Sequence, residues 1–167
     1  MSTIFNIGCV CTFQGAPDAV TDYLWCLDNL QRHIPHVKSV TQLTSSRGTH
    51  QQLFRMQLAP PGAQACDVIT LRHREHRRIR YRQIQPHPLL RSHAGEWLIC
   101  GHPSGAGAIV YLNHELGLDD DRVALAKPAA TDGTSWALDL VRQSGNRSLE
   151  ALSAAFAARV DGLASHG

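Results

Sequence analysis

The residues best suited to chemistry are concentrated in one stretch, "DVITLRHREHRRIRYRQ", which runs from Asp67 to Gln83. Arginines and histidines alternate there with apolar residues, and this period of two is typical of strands with one buried face. The alternation predicts that Thr70 and Arg72 point to the same side of the first strand. A buried arginine stays charged, and its planar fork suits a ketone or enolate oxygen. The alternative is that Arg72 is one more solvated arginine, and the residues alone leave both interpretations open.

A histidine that could act as an acid or base lies further along the chain. His114, in "VYLNHEL", shares a predicted strand face with Val110 and Leu112. Its ordinary pKa of about 6.5 suits proton transfer near neutral pH. A histidine on an apolar strand face is also a common core residue whose hydrogen bonds are satisfied. Catalysis and core packing are therefore both open for His114.

Further residues could line a pocket beside this pair. In "RIRYRQ" only one of the two alternating sets can face inward, and we expect Tyr81 and Gln83 to do so. Trp97 shares the inward alternation of its strand, where it would either fill the core or form a flat wall for a ligand. On the last helix, Asn146 could present its amide to the pocket. Gly145 beside it predicts either a helix kink or a close approach.

Two other uses of the basic stretch are less favoured. Nucleic-acid binding would use its arginines on phosphates, but the net charge of the whole chain is only +2. A metal site would need histidines at suitable spacing, and no standard spacing occurs among His73, His76, His87 and His93. Cys9 and Cys11 form half of a metal motif without a second half. We therefore expect no metal, no cofactor and no nucleic-acid partner.

The elements that must position these residues follow a simple order. A strand, "TIFNIGCVCTF", is followed by a helical pair in "GAPDAVTDYLWCLDNLQRHIP" and by a run of antiparallel strands. The strands are separated by turns at "SSRGT", "PPGAQA" and "HPSGAG". A long polar segment, "GLDDDRVALAKPAATDG", then leads to a long amphipathic helix. This order predicts an α+β fold in which one curved sheet wraps around the C-terminal helix, with an internal pocket between them.

The composition is that of an ordinary globular chain. Its 167 residues are 43% hydrophobic and 18% charged, which suits a single domain over residues 1–167. No apolar run approaches the roughly 20 residues of a membrane helix, and the N-terminus lacks the pattern of a secretion signal. Five scattered cysteines indicate reduced thiols in the cytoplasm. The sequence does not decide between a monomer and a homodimer.

Several segments resemble one known family. They are "VITLRHREHRRIRYRQIQPHPLLRSHAGEWLI", "VYLNHEL", the helical pair "GAPDAVTDYLWCLDNLQRHIPHV" and the loop "AKPAA". Together they resemble the helix-grip fold of the START and Bet v 1-like (SRPBCC) superfamily. Within it they are similar to the polyketide aromatase/cyclases of bacterial antibiotic biosynthesis. The similarity extends over nearly the whole chain as a pattern.

This resemblance implies a function and a set of site residues. It implies an enzyme that folds a carrier-bound poly-β-ketone in an internal pocket and promotes aldol cyclisation and dehydration. Arg72 and His114 would be catalytic. The residues implied to bind substrate are Thr70, Tyr81, Gln83, Trp97, Leu112 and Asn146. The partner would be an acidic acyl carrier protein, which the predicted outward arginines 78, 80 and 82 could meet. The alternative is a non-catalytic carrier of a lipid, quinone or aromatic product.

Overall fold

The computed structural model describes residues 3–44, 50–59 and 64–164, with side chains up to residue 162. Within these residues, seven strands form one antiparallel sheet in the order β1-β7-β6-β5-β4-β3-β2. The strands are β1 (Ile4–Phe13), β2 (Val37–Gln42), β3 (Gln51–Leu58), β4 (Cys66–Glu75), β5 (Arg78–Gln85), β6 (Leu90–Gly101) and β7 (Ala108–Leu118). The helices are α1 (Pro17–Trp25), α2 (Leu27–His33), α3 (Asp120–Ala126) and α4 (Gly133–Ala164). The curved antiparallel sheet, the helical pair after β1 and the long C-terminal helix confirm the predicted α+β architecture.

The helical pair forms because its sequence starts one helix and then interrupts it. Pro17 occupies the first turn of α1, where its missing N–H costs no hydrogen bond, and Asp18 lies near the positive end of the helix dipole. At Cys26 the backbone is extended, so α1 ends there and α2 begins at the next residue. This junction positions the last carbonyl groups of α1 over the sheet.

The long helix α4 packs on the concave face of the sheet and completes the core. Leu149, Leu152 and Phe156 are buried along one stripe of α4, at the spacing of successive helical turns. Phe156 contacts Phe13 of β1 and Tyr23 of α1, with ring centroids 6.1 and 5.0 Å apart. The helix therefore joins both the first strand and the helical pair. None of the described helices is long and apolar enough to cross a membrane.

One sequence prediction about this end of the chain needs correction. The segment predicted as a long polar loop contains α3, whose first turn is capped by the Asp119 side chain accepting from the Arg122 N–H. Val123 is the one buried residue of α3, so the helix has too short an apolar stripe to be recognised from periodicity. At Gly145, where the sequence left a kink or a close approach open, α4 continues through the residue. The predicted turn at 45–49 and the first four residues of the predicted turn at 60–65 lie outside the described residues.

Candidate functional site

The concave face of the sheet brings most of the predicted site residues together. Strand register places Arg72 opposite Tyr81, Tyr81 opposite Gly95, and Gly95 opposite His114, so these residues form one row across four strands. Residues directly opposite each other point to the same side of a sheet. Seven of the eight predicted site residues share this face, namely Thr70, Arg72, Tyr81, Gln83, Trp97, Leu112 and His114. The eighth, Asn146, is exposed on α4, which makes its predicted inward orientation wrong.

Arg72 is buried, but its guanidinium is already occupied. Its Nε donates to Gln52 Oε1 at 2.6 Å, and its Nη1 and Nη2 donate to the carbonyl oxygens of Leu24 and Trp25 at the end of α1. The guanidinium also stacks on the Trp25 and Phe54 rings, 4.6 and 5.3 Å from their centroids. Burial lowers the Arg72 pKa to about 9, so the group stays charged at neutral pH. Arg72 thus anchors α1 to β4.

Tyr81, His93 and His114 form a hydrogen-bonded group that we call the Tyr–His–His cluster. The Tyr81 hydroxyl lies 2.6 Å from Nδ1 of His114 and 3.2 Å from Nε2 of His93, and these two nitrogens are 3.0 Å apart. Gly95 leaves room for it, since a Cβ there would lie 2.6 Å from the Tyr81 hydroxyl. The three polar groups therefore meet at one point of the concave face.

Burial keeps the Tyr–His–His cluster uncharged at neutral pH. Desolvation, with a smaller contribution from nearby His114, lowers the pKa of His93 to about 3. Desolvation alone lowers the pKa of His114 to about 4. The same effect raises the pKa of the Tyr81 phenol, which therefore keeps its proton. The cluster can offer a hydroxyl donor and two neutral imidazole rings. Because these rings are uncharged, each of them can accept a proton.

The second nitrogen of His114 faces the long helix. His114 Nε2 is buried and has no hydrogen-bond partner among the described residues. A Cβ at Gly145 would lie 2.9 Å from this nitrogen and 2.8 Å from the Cys9 sulfur. Gly145 thus allows α4 to approach β1 and β7 closely, which is one of the two roles that the sequence predicts for this glycine. The backbone of α4 covers His114 at this point.

Two further polar side chains of the concave face lack partners. Thr70 on β4 lies opposite Gln83 on β5, and neither Thr70 Oγ1 nor Gln83 Oε1 has a hydrogen-bond partner among the described residues. A buried polar atom without a partner costs about 1–3 kcal/mol, so such atoms are usually satisfied by water or by a ligand. Thr70 Oγ1 and Gln83 Oε1 could therefore form hydrogen bonds with a polar group of a bound molecule.

Aromatic and aliphatic side chains flank these polar groups. Trp97 on β6 lies opposite Ile79 and Leu112 on the neighbouring strands, and both of these are buried. Trp97 itself is only partly buried and packs against the core together with Trp136 of α4. The concave face therefore combines apolar walls with a small number of polar groups, which is typical of small-molecule sites.

The remaining arginines of the basic stretch are distributed over different surfaces. Arg74 and Arg77 form ion pairs with Asp22 and Asp18 of α1, each at 2.7 Å. On the outer face of β5, Arg80 and Arg82 are exposed and Arg78 is half-buried. Both Arg78 and Arg80 approach Glu96, at 3.4 and 3.8 Å. The basic stretch is therefore not a single patch.

Sequence reasoning missed two residues that shape this site. His93 was considered only as a metal ligand, although it lies four residues before Trp97 and so shares its inward alternation. Gln52 is predicted as part of a strand, but its bond to Arg72 depends on the register between β3 and β4. The strand alternation is enough to predict that His93 faces inward. The bond between Gln52 and Arg72 can be predicted only when the pairing of β3 with β4 is known.

The depressed histidine pKa values predict a stability that falls in acid. In the unfolded chain both rings take up protons near their ordinary pKa of about 6.5, whereas the folded rings take them up only near 3 and 4. Between these limits the unfolded state binds more protons, so stability decreases as the pH falls. We expect the free energy of unfolding to drop by about 2 kcal/mol between about pH 7 and about pH 5.5. Urea titrations at both pH values measure this drop.

The variant His93→Gln provides the control for this prediction. It removes one of the two titrating rings while keeping a side chain that can donate and accept a hydrogen bond. Its stability should therefore depend less steeply on pH than that of the wild type. An equal slope in the two proteins would show that His93 does not carry the effect.

The fold is shared with several solved structures. The chain matches the di-domain ARO/CYC StfQ from the steffimycin biosynthetic pathway with a TM-score of 0.80 and 22% identity, over 95% of this chain and 52% of StfQ. It matches the ZhuI aromatase/cyclase from Streptomyces sp. R1128 with a TM-score of 0.80 and 19% identity, over 95% of this chain and 96% of ZhuI. Ara h 8.0201 matches with a TM-score of 0.66 and 12% identity, over 93% of this chain and 99% of the Ara h 8.0201 chain.

These matches establish the class of fold. The chain spans about half the length of StfQ and nearly all of ZhuI. No protein-family model matches the sequence, and no curated protein sequence matches it. The chain therefore has the helix-grip fold, and aromatase/cyclases are among its structural neighbours.

Proposed function

We propose that this protein is an aromatase/cyclase that folds a poly-β-ketone chain against the concave face of the sheet. The observation that carries the proposal is the set of neutral hydrogen-bonding side chains on that face. Thr70 Oγ1 and Gln83 Oε1 have no partners among the described residues, and the Tyr–His–His cluster lies on the same face. A poly-β-ketone carries regularly spaced carbonyl groups on an apolar chain. The Thr70 and Tyr81 hydroxyls can donate to its carbonyl oxygens, and Gln83 Oε1 can accept from the hydroxyl of an enolised unit.

The proposed reaction is an aldol cyclisation followed by loss of water. A methylene between two carbonyls gives up a proton, and the resulting enolate carbon attacks a second ketone of the same chain. The Tyr81 hydroxyl keeps its proton, and it can turn that proton from an imidazole nitrogen to the ketone oxygen as negative charge develops there. The neutral imidazoles of His93 and His114 can accept and return protons. Loss of water from the aldol product then gives the aromatic ring.

The carrier protein that would deliver the substrate is proposed to meet the outer face of β5. Arg80 and Arg82 are exposed there, and acyl carrier proteins are acidic. Glu96 partly neutralises this surface through Arg78 and Arg80, so the attraction should be modest. Replacing Arg82 by glutamate should raise the concentration of carrier protein needed for half-maximal rate. An unchanged concentration dependence would remove this surface from the proposal.

A non-catalytic carrier of an apolar ligand is the second candidate function. It is favoured by the contacts of Arg72 and His114, the two residues to which the family resemblance assigns a catalytic role. The Arg72 guanidinium is bonded to Gln52 and to the end of α1, and His114 Nε2 lies beneath Gly145. A carrier needs the apolar walls but no free arginine and no accessible base.

Reconstitution with a minimal polyketide synthase distinguishes the two functions. Adding the cyclase should convert the mixture of spontaneous shunt products into one predominant cyclised product. A carrier should leave the product ratio unchanged and bind the finished aromatic product, which quenching of tryptophan fluorescence would detect. An unchanged product ratio at saturating protein would exclude the cyclase function.

A further inference from the structure

The contacts of the Tyr–His–His cluster restrict where its protons can lie. A neutral imidazole nitrogen either carries a proton and donates, or lacks one and accepts. The ring nitrogens of His93 and His114 that face each other are 3.0 Å apart. An attractive contact at that distance requires one donor and one acceptor. The two rings must therefore carry opposite protonation states at the nitrogens where they meet.

The Tyr81 hydroxyl can bridge the two rings in either arrangement. It lies 2.6 Å from His114 Nδ1 and 3.2 Å from His93 Nε2. A hydroxyl both donates and accepts, so it can accept from the protonated nitrogen and donate to the other. The relay balances when a proton enters from outside, so that His93 carries protons at both ring nitrogens and His114 carries its own at Nε2. Shifting two protons then breaks the His93 Nε2–H and Tyr81 O–H bonds and forms a new Tyr81 O–H and a His114 Nδ1–H. The positive charge moves from the His93 ring to the His114 ring, His93 is left neutral, and Tyr81 is neutral before and after.

The two ends of this path differ in their surroundings. At one end, His114 Nε2 is buried beneath α4 and has no partner among the described residues. At the other end, His93 on β6 is only half-buried. Its ring contacts those of Tyr81 and His114, with centroids 5.4 and 5.2 Å apart. The path therefore runs from a nitrogen covered by α4 to a residue of β6 that keeps partial exposure.

The residues around the cluster leave this path unobstructed. Two glycines lie next to the cluster. A Cβ at Gly95 would clash with Tyr81, and a Cβ at Gly145 would clash with His114. Among the described residues, the other titratable groups whose charge reaches the cluster are Cys9 on β1 and His87 before β6. No carboxylate is present among these groups to hold one ring permanently protonated.

We propose that Tyr81, His93 and His114 form a proton relay in which His93 is a positioning residue. His93 sets the tautomer of His114 through the Tyr81 hydroxyl, and it exchanges the relayed proton with the surroundings. The use of this relay in cyclisation rests on the proposed function. The proton sharing itself is a property of the folded chain and is measurable without substrate.

Nitrogen NMR of the full chain carrying ¹⁵N-labelled histidine tests the relay directly. In the wild type, the facing nitrogens of His93 and His114 should differ, one protonated and one not. The variants Tyr81→Phe and His93→Leu should each change the ¹⁵N shifts of His114, and His93→Gln should restore them in part. Half-buried His36, which bonds to Ser144, supplies the control His36→Gln, which should leave His114 unchanged. Unchanged His114 shifts in folded Tyr81→Phe and His93→Leu would overturn the relay.

Turnover in the reconstituted synthase separates the relay from the proposed function. We expect His93→Leu to reduce kcat about tenfold or more at unchanged KM, and His93→Gln to recover part of the loss. Full turnover of both variants would contradict the relay while leaving the cyclase function intact. If instead the wild type has no effect on the products but the NMR coupling is present, the cyclase function is wrong and the proton-sharing cluster remains.

Discussion

Alanine in place of Gly95 is expected to lower the free energy of unfolding by about 3 kcal/mol or more. A Cβ at this position would lie 2.1 Å from the backbone oxygen of Asn113 and 2.6 Å from the Tyr81 hydroxyl. The first contact is with the neighbouring strand itself, so no side-chain rotation can relieve it. Strand β6 would have to move away from β7, which carries His114. Urea or thermal unfolding followed by circular dichroism measures the loss.

The glycine of β1 supplies a matched control for this substitution. Gly8 also lies in a strand next to Asn113, but a Cβ there would be 3.5 Å from its nearest neighbour, the Asn113 side-chain oxygen. Gly8→Ala should therefore leave stability unchanged or raise it slightly, since alanine loses less backbone entropy on folding. Equal stability of the Gly95→Ala and wild-type proteins would show that Tyr81 and Gly95 are not packed as described.

Removing the Arg72 side chain is expected to cost about 4 kcal/mol of stability. Arg72→Ala leaves the Leu24 carbonyl oxygen and Gln52 Oε1 without their donor, and leaves the Trp25 carbonyl oxygen with only the longer bond from Gln52 Nε2 at 3.4 Å. It also removes the guanidinium from between the Trp25 and Phe54 rings. The end of α1 would then lose its attachment to β4. Chemical denaturation at neutral pH measures the effect.

The variant Arg72→Lys tests whether the planar fork matters as well as the charge. Lysine keeps the positive charge but cannot reach three acceptors in the same geometry, so it should recover only part of the lost stability. If Arg72→Ala is as stable as the wild type, the anchor described for Arg72 is wrong and the guanidinium is free for catalysis. Loss of activity in Arg72→Ala therefore has to be compared with its stability before it is attributed to chemistry.

The element order could be predicted from the sequence because each element carries its own signal. The alternation in β4 and β5 predicted the inward orientation of Thr70, Arg72 and Tyr81, and strand register confirms that these residues share the concave face. By contrast, α3 has a single buried residue, so its apolar pattern was too short to detect.

The contacts of the site could not be predicted in the same way. Alternation shows which face a residue occupies but not which side chain it meets, because that depends on register and on the helix that crosses the sheet. The inward orientation of Arg72 was predicted, but its partners come from α1 and β3. Asn146 follows Gly145, and the close approach of the glycine turns the neighbouring residue outward.

The ratio of cyclised to shunt products in a reconstituted polyketide synthase tests the central proposal most directly. Tyr81→Phe removes the hydroxyl of the Tyr–His–His cluster, and Tyr111→Phe removes one from an exposed tyrosine on the outer face of β7. The proposal predicts that the wild type and Tyr111→Phe give predominantly cyclised product, whereas Tyr81→Phe gives predominantly shunt products. Equal ratios for Tyr81→Phe and the wild type would contradict it.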